Sequence, residues 1–190
     1  KLLKSVFDHS RRAAYVGLRG PEELAPLLWA GRSSFAPAAD RPPKRYLRPQ
    51  APRVLFVHRD MVQSRLGVFA ADEPYRPEEA VDRQFFNHAM GGMDGVIFQE
   101  VREARALAYT AGGGYQEGAR AGDEGLVGGR AGCQADKTPE TSALLVELLR
   151  TAPVDEARFK AVKRGVEEAY RSDVVRFRSV PGPVINWELK

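Results

Sequence analysis

The chain has 190 residues, 43% of them hydrophobic, and a net charge of +4. That length and apolar content suit one globular domain with a sizeable core and exclude a disordered chain. A single cysteine excludes an internal disulfide framework, and no apolar run approaches the ~20 residues that a membrane-spanning helix needs.

In chain order, residues 1 to 12 read as a helix, and Ala13 to Gly17 as a short apolar strand. The chain opens mid-pattern at Lys1-Leu2-Leu3-Lys4, so it is expected to be part of a longer polypeptide. Its compartment, cytoplasmic or periplasmic in a bacterium, stays open. Pro21-Glu22-Glu23 starts the next helix with a proline and acids where the helix dipole favours them, and Pro26 should kink that helix or delay its start. Arg41 to Arg53 forms a stiff basic connection, with Lys44, Arg45 and Arg48 interleaved with prolines and no acid. Val54 to His58 and Arg65 to Ala71, joined through Arg59-Asp60-Met61, favour an antiparallel pair of strands.

A helix follows from Pro77 to about Met90, ended by Gly91-Gly92. The next runs through Phe98 and Arg102, with Ile97, Phe98, Val101 and Ala104 on the apolar side. Two strands, Ala108 to Glu117 and Gly125 to Gln134, are separated by a charged, glycine-bearing turn. Thr138-Pro139-Glu140 reads as a helix start, with threonine as cap and proline at the first helical position. The last helix, from about Val154, aligns Phe159, Val162, Val166, Tyr170 and Val174 on one stripe. The pattern predicts an α+β fold over residues 1–178, an antiparallel sheet of five or six strands with helices packed on one face. Residues 179–190, with Pro181, Pro183 and Trp187, read as an irregular tail.

Cys133 sits in a predicted strand with no histidine near it in sequence, and reads as a small buried thiol. Gly112-Gly113-Gly114 does not satisfy G-x-G-x-x-G, because Glu117 stands at the last glycine; a strand that curves or lies close to another backbone fits better. Arg102 falls on the polar side of its helix, seven residues before Tyr109. A planar guanidinium and a phenol on regular elements can hydrogen-bond a peptide carbonyl from two directions.

Met90-Gly91-Gly92-Met93 followed by F-Q-E-V-R-E-A-R-A-L-A-Y, Phe98 to Tyr109, resembles the C-terminal, non-zinc half of pitrilysin/insulinase-type zinc metallopeptidases. There a small-residue turn precedes F-x-E-[IL]-R-E-x-x-x-L-x-Y, whose arginine and tyrosine reach into the active site of the other half. The matching positions are Arg102 and Tyr109. The likeness runs over most of residues 11 to 175, with Ala13 to Leu28 similar to the family's strand-then-helix unit and Leu126 to Leu149 to its strand, turn and helix. Asp94-Gly95 and Arg105-Ala106, in the turns flanking the helix, depart from the pattern. The family's zinc site is H-x-x-E-H on a helix with a distant second glutamate. His9, His58 and His88 are far apart and none has glutamate at the third following position. The resemblance therefore implies no metal or other cofactor in this chain and zinc in a partner half.

The function it implies is the non-zinc half of a peptidase that cleaves peptides or unfolded segments. Arg102 and Tyr109 would hydrogen-bond the substrate backbone or the developing oxyanion, in trans to the zinc half, while the domain closes the substrate chamber. The implied partners are a zinc-bearing domain or subunit with H-x-x-E-H and a peptide substrate, with neither nucleic acid nor membrane. The alternative is an inactive scaffolding or interaction subunit of the same fold. In that reading Arg102 is a solvated ion-pair residue beside Glu100 and Glu103, and Tyr109 is packing. A nucleic-acid-binding module would rest on the basic connection and pI but lacks interleaved aromatics on basic strands and any recognisable fold motif.

Overall fold

A computed structural model describes residues 13–29, 41–174 and 176–189. The helix expected over residues 1 to 12, and His9 with it, lie outside the described residues. The chain divides into two compact units, Lys44–Asp173 and Lys1–Pro43 together with Val174–Lys190. Its elements are α1 (Pro21–Trp29), β1 (Gln63–Pro74), α2 (Ala80–Met90), α3 (Val96–Phe98), β2 (Ala108–Gln116), β3 (Glu124–Gln134), α4 (Thr138–Thr151), α5 (Glu156–Ser172) and α6 (Pro181–Leu189). Single 3₁₀ turns precede α2, α4 and α6, and α3 continues into a π-helical stretch, Gln99–Ala104.

In the smaller unit, α1 begins at Pro21 and runs through Pro26, so its start is not delayed. The stretch expected to be irregular, 179–190, holds α6. Pro181 and Pro183 are compatible with it because the first N–H groups of any helix have no intrahelical acceptor to lose.

The larger unit is built on an antiparallel sheet of three strands, ordered β1-β3-β2. The α+β class and the single helix-covered face hold, whereas five to six strands were expected. Among the described residues, Ala13 to Gly17 and Val54 to His58 do not pair as strands. A strand needs a neighbour's hydrogen bonds, and a run of apolar residues does not supply one. Val54 to Val57 are between 77% and 89% exposed, without a cover of their own.

The division of labour in the core explains the glycine-rich strands. Bulk comes from the helices: Met90, Ile97, Val101 and Leu145 are fully enclosed. Four neighbouring inward positions of β2 and β3 are small: Ala111, Gly113, Gly129 and Ala131. A Cβ at Gly113 would stand 2.6 Å from the Ile97 side chain, and one at Gly129 would stand 2.8 Å from Leu145. Small residues thus let the helices seat close to the sheet, the close approach foreseen for the 112–114 run. Truncating Leu145 to alanine would forfeit ~2–5 kcal/mol.

Two helix starts differ from expectation. Lys137, not Thr138, is the N-cap of α4, because the 3₁₀ turn Ala135–Lys137 leads directly into it; Thr138 is the first helical residue. The helix expected from about Val154, α5, starts at Glu156, with the Asp155 carboxylate accepting from the Arg158 N–H at 2.7 Å. It ends at Ser172, which leaves Val174 outside the apolar stripe.

Candidate functional site

Gly91 and Gly92 make the turn between α2 and α3. Gly92 has φ of 72°, a conformation that glycine adopts without strain, and a Cβ at Gly91 would stand 2.8 Å from the Gly113 carbonyl. The departure at Asp94-Gly95 leaves this turn intact. Gly95 is the N-cap of α3, and the Asp94 carbonyl accepts from the Arg158 guanidinium at 2.9 Å.

From Gln99 the helix widens into π geometry, a form frequent at functional sites. The extra residue per turn rotates the apolar stripe, so Ile97 and Val101 are buried while Ala104, expected on the same side, is exposed. The helix ends where the Leu107 N–H donates to the Val101 carbonyl at 2.9 Å and the Ala106 N–H to Arg102 at 3.1 Å. Ala106 takes the left-handed conformation, φ 49°, that such a stop demands. Leu107 and Ala108 then plunge into the core and begin β2.

Tyr109 is the extra residue of a β-bulge. Ala108 pairs with Cys133 and Thr110 with Gly132, so Tyr109 has no partner across the ladder. Bulges re-aim side chains, and Tyr109 is 75% exposed while Ala108 before it is buried. The Arg102 guanidinium carbon lies 5.4 Å from the centre of the Tyr109 ring and 4.9 Å from that of Phe98. Its Nε pairs with Glu103 at 3.4 Å, and its side chain is 40% exposed. The structure therefore brings Arg102 and Tyr109 together as a stacked, solvent-facing pair. Both aspects of the arginine foreseen from sequence coexist, the ion pair with Glu103 and the partnership with the tyrosine.

The pair stands at one end of β2, an edge strand that no other strand among the described residues covers. Because the Val62 carbonyl accepts from the Ala135 N–H, pairing alternates so that Ala111, Gly113 and Tyr115 turn their N–H and C=O groups outward from β2. The Asn87 side chain already occupies Tyr115. It donates to the Tyr115 carbonyl at 3.1 Å and accepts from the Tyr115 N–H at 2.6 Å, as a neighbouring strand would. Sequence reading missed Asn87 and the bulge. The bulge did leave a signal, since Ala108 and Ala111 both face inward three positions apart, where regular alternation requires two.

Tyr115 is a packing residue. Burial pushes its phenol up to about 12, against the opposing effect of the Arg83 guanidinium 4.5 Å from its ring centre. Cys133 is buried in β3 as expected, its sulfur 3.7 Å from the Thr138 hydroxyl. His58 and His88 are exposed and lie on separate segments. Among the described residues no three histidine, cysteine or carboxylate side chains converge, so they do not fit a zinc ion. No helix among them is long and apolar enough to cross a membrane.

The basic connection is spent on internal contacts. The Lys44 N–H donates to Asp123 at 2.6 Å, the Tyr46 N–H to Glu124 at 2.7 Å, and the Arg45 guanidinium to the Gly122 carbonyl at 2.8 Å. Arg48 pairs with Glu124 at 3.3 Å and Glu73 at 3.5 Å. Two of its cations, Arg45 and Arg48, are thereby engaged within the larger unit.

The profile of the peptidase M16 inactive domain matches residues 15–166. The chain belongs to that family. Among solved structures it is similar to the peptidase M16 inactive domain from Pseudomonas fluorescens, with a TM-score of 0.63 and 17% identity over 89% of this chain and 41% of that one. It is also similar to a protease from Helicobacter pylori, with a TM-score of 0.63 and 16% identity over 90% of this chain and 43% of that one. No curated protein matches the chain significantly. The inactive domain of a peptidase is its non-catalytic part, and the family implies a catalytic partner domain. The chain spans about two fifths of the length of either solved structure.

Proposed function

We propose that this chain is the non-zinc half of a composite peptidase and that Arg102 and Tyr109 are its contribution to the joint active site. The observation that carries the reading is the stacking of the Arg102 guanidinium on the Tyr109 ring at a bulge that turns the phenol to solvent. Arg102 has N–H groups beyond the Nε held by Glu103, and Tyr109 has a hydroxyl; both donate to a carbonyl oxygen, or to the oxyanion that develops from it. Among the described residues no cluster of metal ligands stands beside them; in this reading the partner half, with its H-x-x-E-H motif, brings the zinc. Stacking fixes the guanidinium before substrate arrives, which lowers the ordering entropy of a two-donor contact.

An extended peptide would pair with the outward N–H and C=O groups of Ala111, by strand addition that starts beside Tyr109 and stops where the Gly91 turn lies against the Gly113 carbonyl. A strand that joins β2 inside a closed chamber has to leave its own sheet, so the substrates are peptides and unfolded segments enclosed between the halves. Tyr109→Phe tests this in the enzyme assembled with its zinc half. Zinc content should be unchanged and kcat/KM for a flexible, uncharged peptide should fall ~10²–10³-fold, the usual effect of deleting one oxyanion donor. Undiminished turnover would reject the role and leave a scaffolding subunit.

A further inference from the structure

Within the larger unit, among the described residues, the helices cover one face of the sheet, and Arg65, Gly67, Phe69 and Arg130 on the other are exposed. On that other face β1 presents Arg65, Gly67 and Phe69, and β3 presents Gly128, Arg130 and Gly132. The Phe69 ring lies flat on the backbone. A Cβ at Gly67 would stand 2.6 Å from it, and one at Gly128 would collide with its other edge. The Arg130 guanidinium lies over the ring, its carbon 5.1 Å from the centre. Two glycines therefore seat the ring, and the ring seats the arginine.

Neither Arg65 nor Arg130 has a carboxylate partner among the described residues. The open-face positions of β1 from Arg65 to Ala71, of β2 from Thr110 to Gln116 and of β3 from Leu126 to Gln134 include no acid. Glu124, at the end of β3, is already paired with Arg45 and Arg48. Arg65 stands opposite Gly132 and Arg130 opposite Gly67, so the two arginines are diagonal neighbours on adjacent strands. Diagonal neighbours lie ~7–8 Å apart. Alternate residues of an extended chain repeat at ~6.6–6.8 Å.

We propose that this open sheet face binds extended acidic peptides, Arg65 and Arg130 each taking one carboxylate from residues two apart. A nucleic acid fits less well, because two cations do not make a track for a run of phosphates. As a statement about substrate class the proposal rests on the peptidase reading; as a statement about binding it does not.

The test is fluorescence anisotropy of the full chain with a rhodamine-labelled, end-blocked Gly-Ser-Glu-Ser-Glu-Ser-Gly peptide at low salt, beside the same peptide with lysine or glutamine for glutamate and a single-stranded oligothymidylate. The acidic peptide should bind at least about tenfold more tightly than the other probes. Arg65→Gln and Arg130→Gln should each weaken it about tenfold, the worth of one charge-assisted hydrogen bond. Gly128→Ala should weaken it by displacing the ring while leaving the charge, and Lys163→Gln on α5 should leave it unchanged. Thermal melts confirm that each variant folds. Equal affinity for all the peptides, tighter binding of the oligothymidylate, or an unchanged Kd in the Arg65→Gln/Arg130→Gln double variant would overturn the proposal. The anisotropy assay needs no zinc half and the turnover assay uses an uncharged peptide, so the two tests fail independently.

Discussion

Ala106 holds a left-handed conformation at the end of the helix that carries Arg102, and its Cβ is exposed. The strain belongs to any residue with a Cβ, at ~1–2 kcal/mol, part of which glycine would return through its freer unfolded chain. Ala106→Gly should therefore stabilise the chain by about 0.5–1 kcal/mol and raise Tm by a few degrees. A lower Tm in a calorimetric scan would mean that the methyl packs against something. Arg102 and Tyr109 were legible in sequence as a helical polar position and a strand start. Their stacking was not, because it depends on a π turn that adds one residue to the helix and a bulge that adds one to the strand. Local periodicity assumes that neither insertion occurs.

The elements of the sheet show the same limit from another side. Gln63–Pro74, Ala108–Gln116 and Glu124–Gln134 were foreseen to within a few residues, since each carries a strand pattern bounded by turn residues. The strands expected at Ala13 to Gly17 and Val54 to His58 depended on partners that composition cannot reveal. Asn87 was equally hidden, its role being to hold the end of β2 from a different element. Asn87→Ala should leave the Tyr115 N–H and carbonyl without their partners, at about 1–3 kcal/mol. Amide exchange at Tyr115 should accelerate and Tm should fall. Unchanged protection at that amide would show that the strand end is held by its own ladder alone.

Across the larger unit, residues 44–48 close the end of the sheet by gripping Asp123 and Glu124. The Tyr46 N–H, and after it the Arg48 guanidinium, hold the Glu124 carboxyl below its ordinary value, although its partial burial opposes them. A carboxyl depressed in the folded state stabilises the fold above its unfolded value, ~4.3, and that contribution disappears as pH falls through the folded value. Urea midpoints of the unaltered chain should thus drop between pH 5 and pH 3 more steeply than those of Glu124→Gln, and parallel curves would remove Glu124 from the account. A basic connection that sequence offers as a binding surface is here a clasp, hidden from local reading because its acceptors lie 76 to 79 residues downstream.

The claim on which the rest turns is that one guanidinium and one phenol act together on a peptide held by another half. A double-mutant cycle in kcat/KM, with Arg102→Lys, Tyr109→Phe and both in the assembled enzyme, tests it most directly. Each single change should reduce kcat/KM ~10²-fold or more, with the double variant little worse than the weaker single, as befits donors that work as a unit. Single variants within twofold of the unaltered enzyme, at full zinc content, would contradict it.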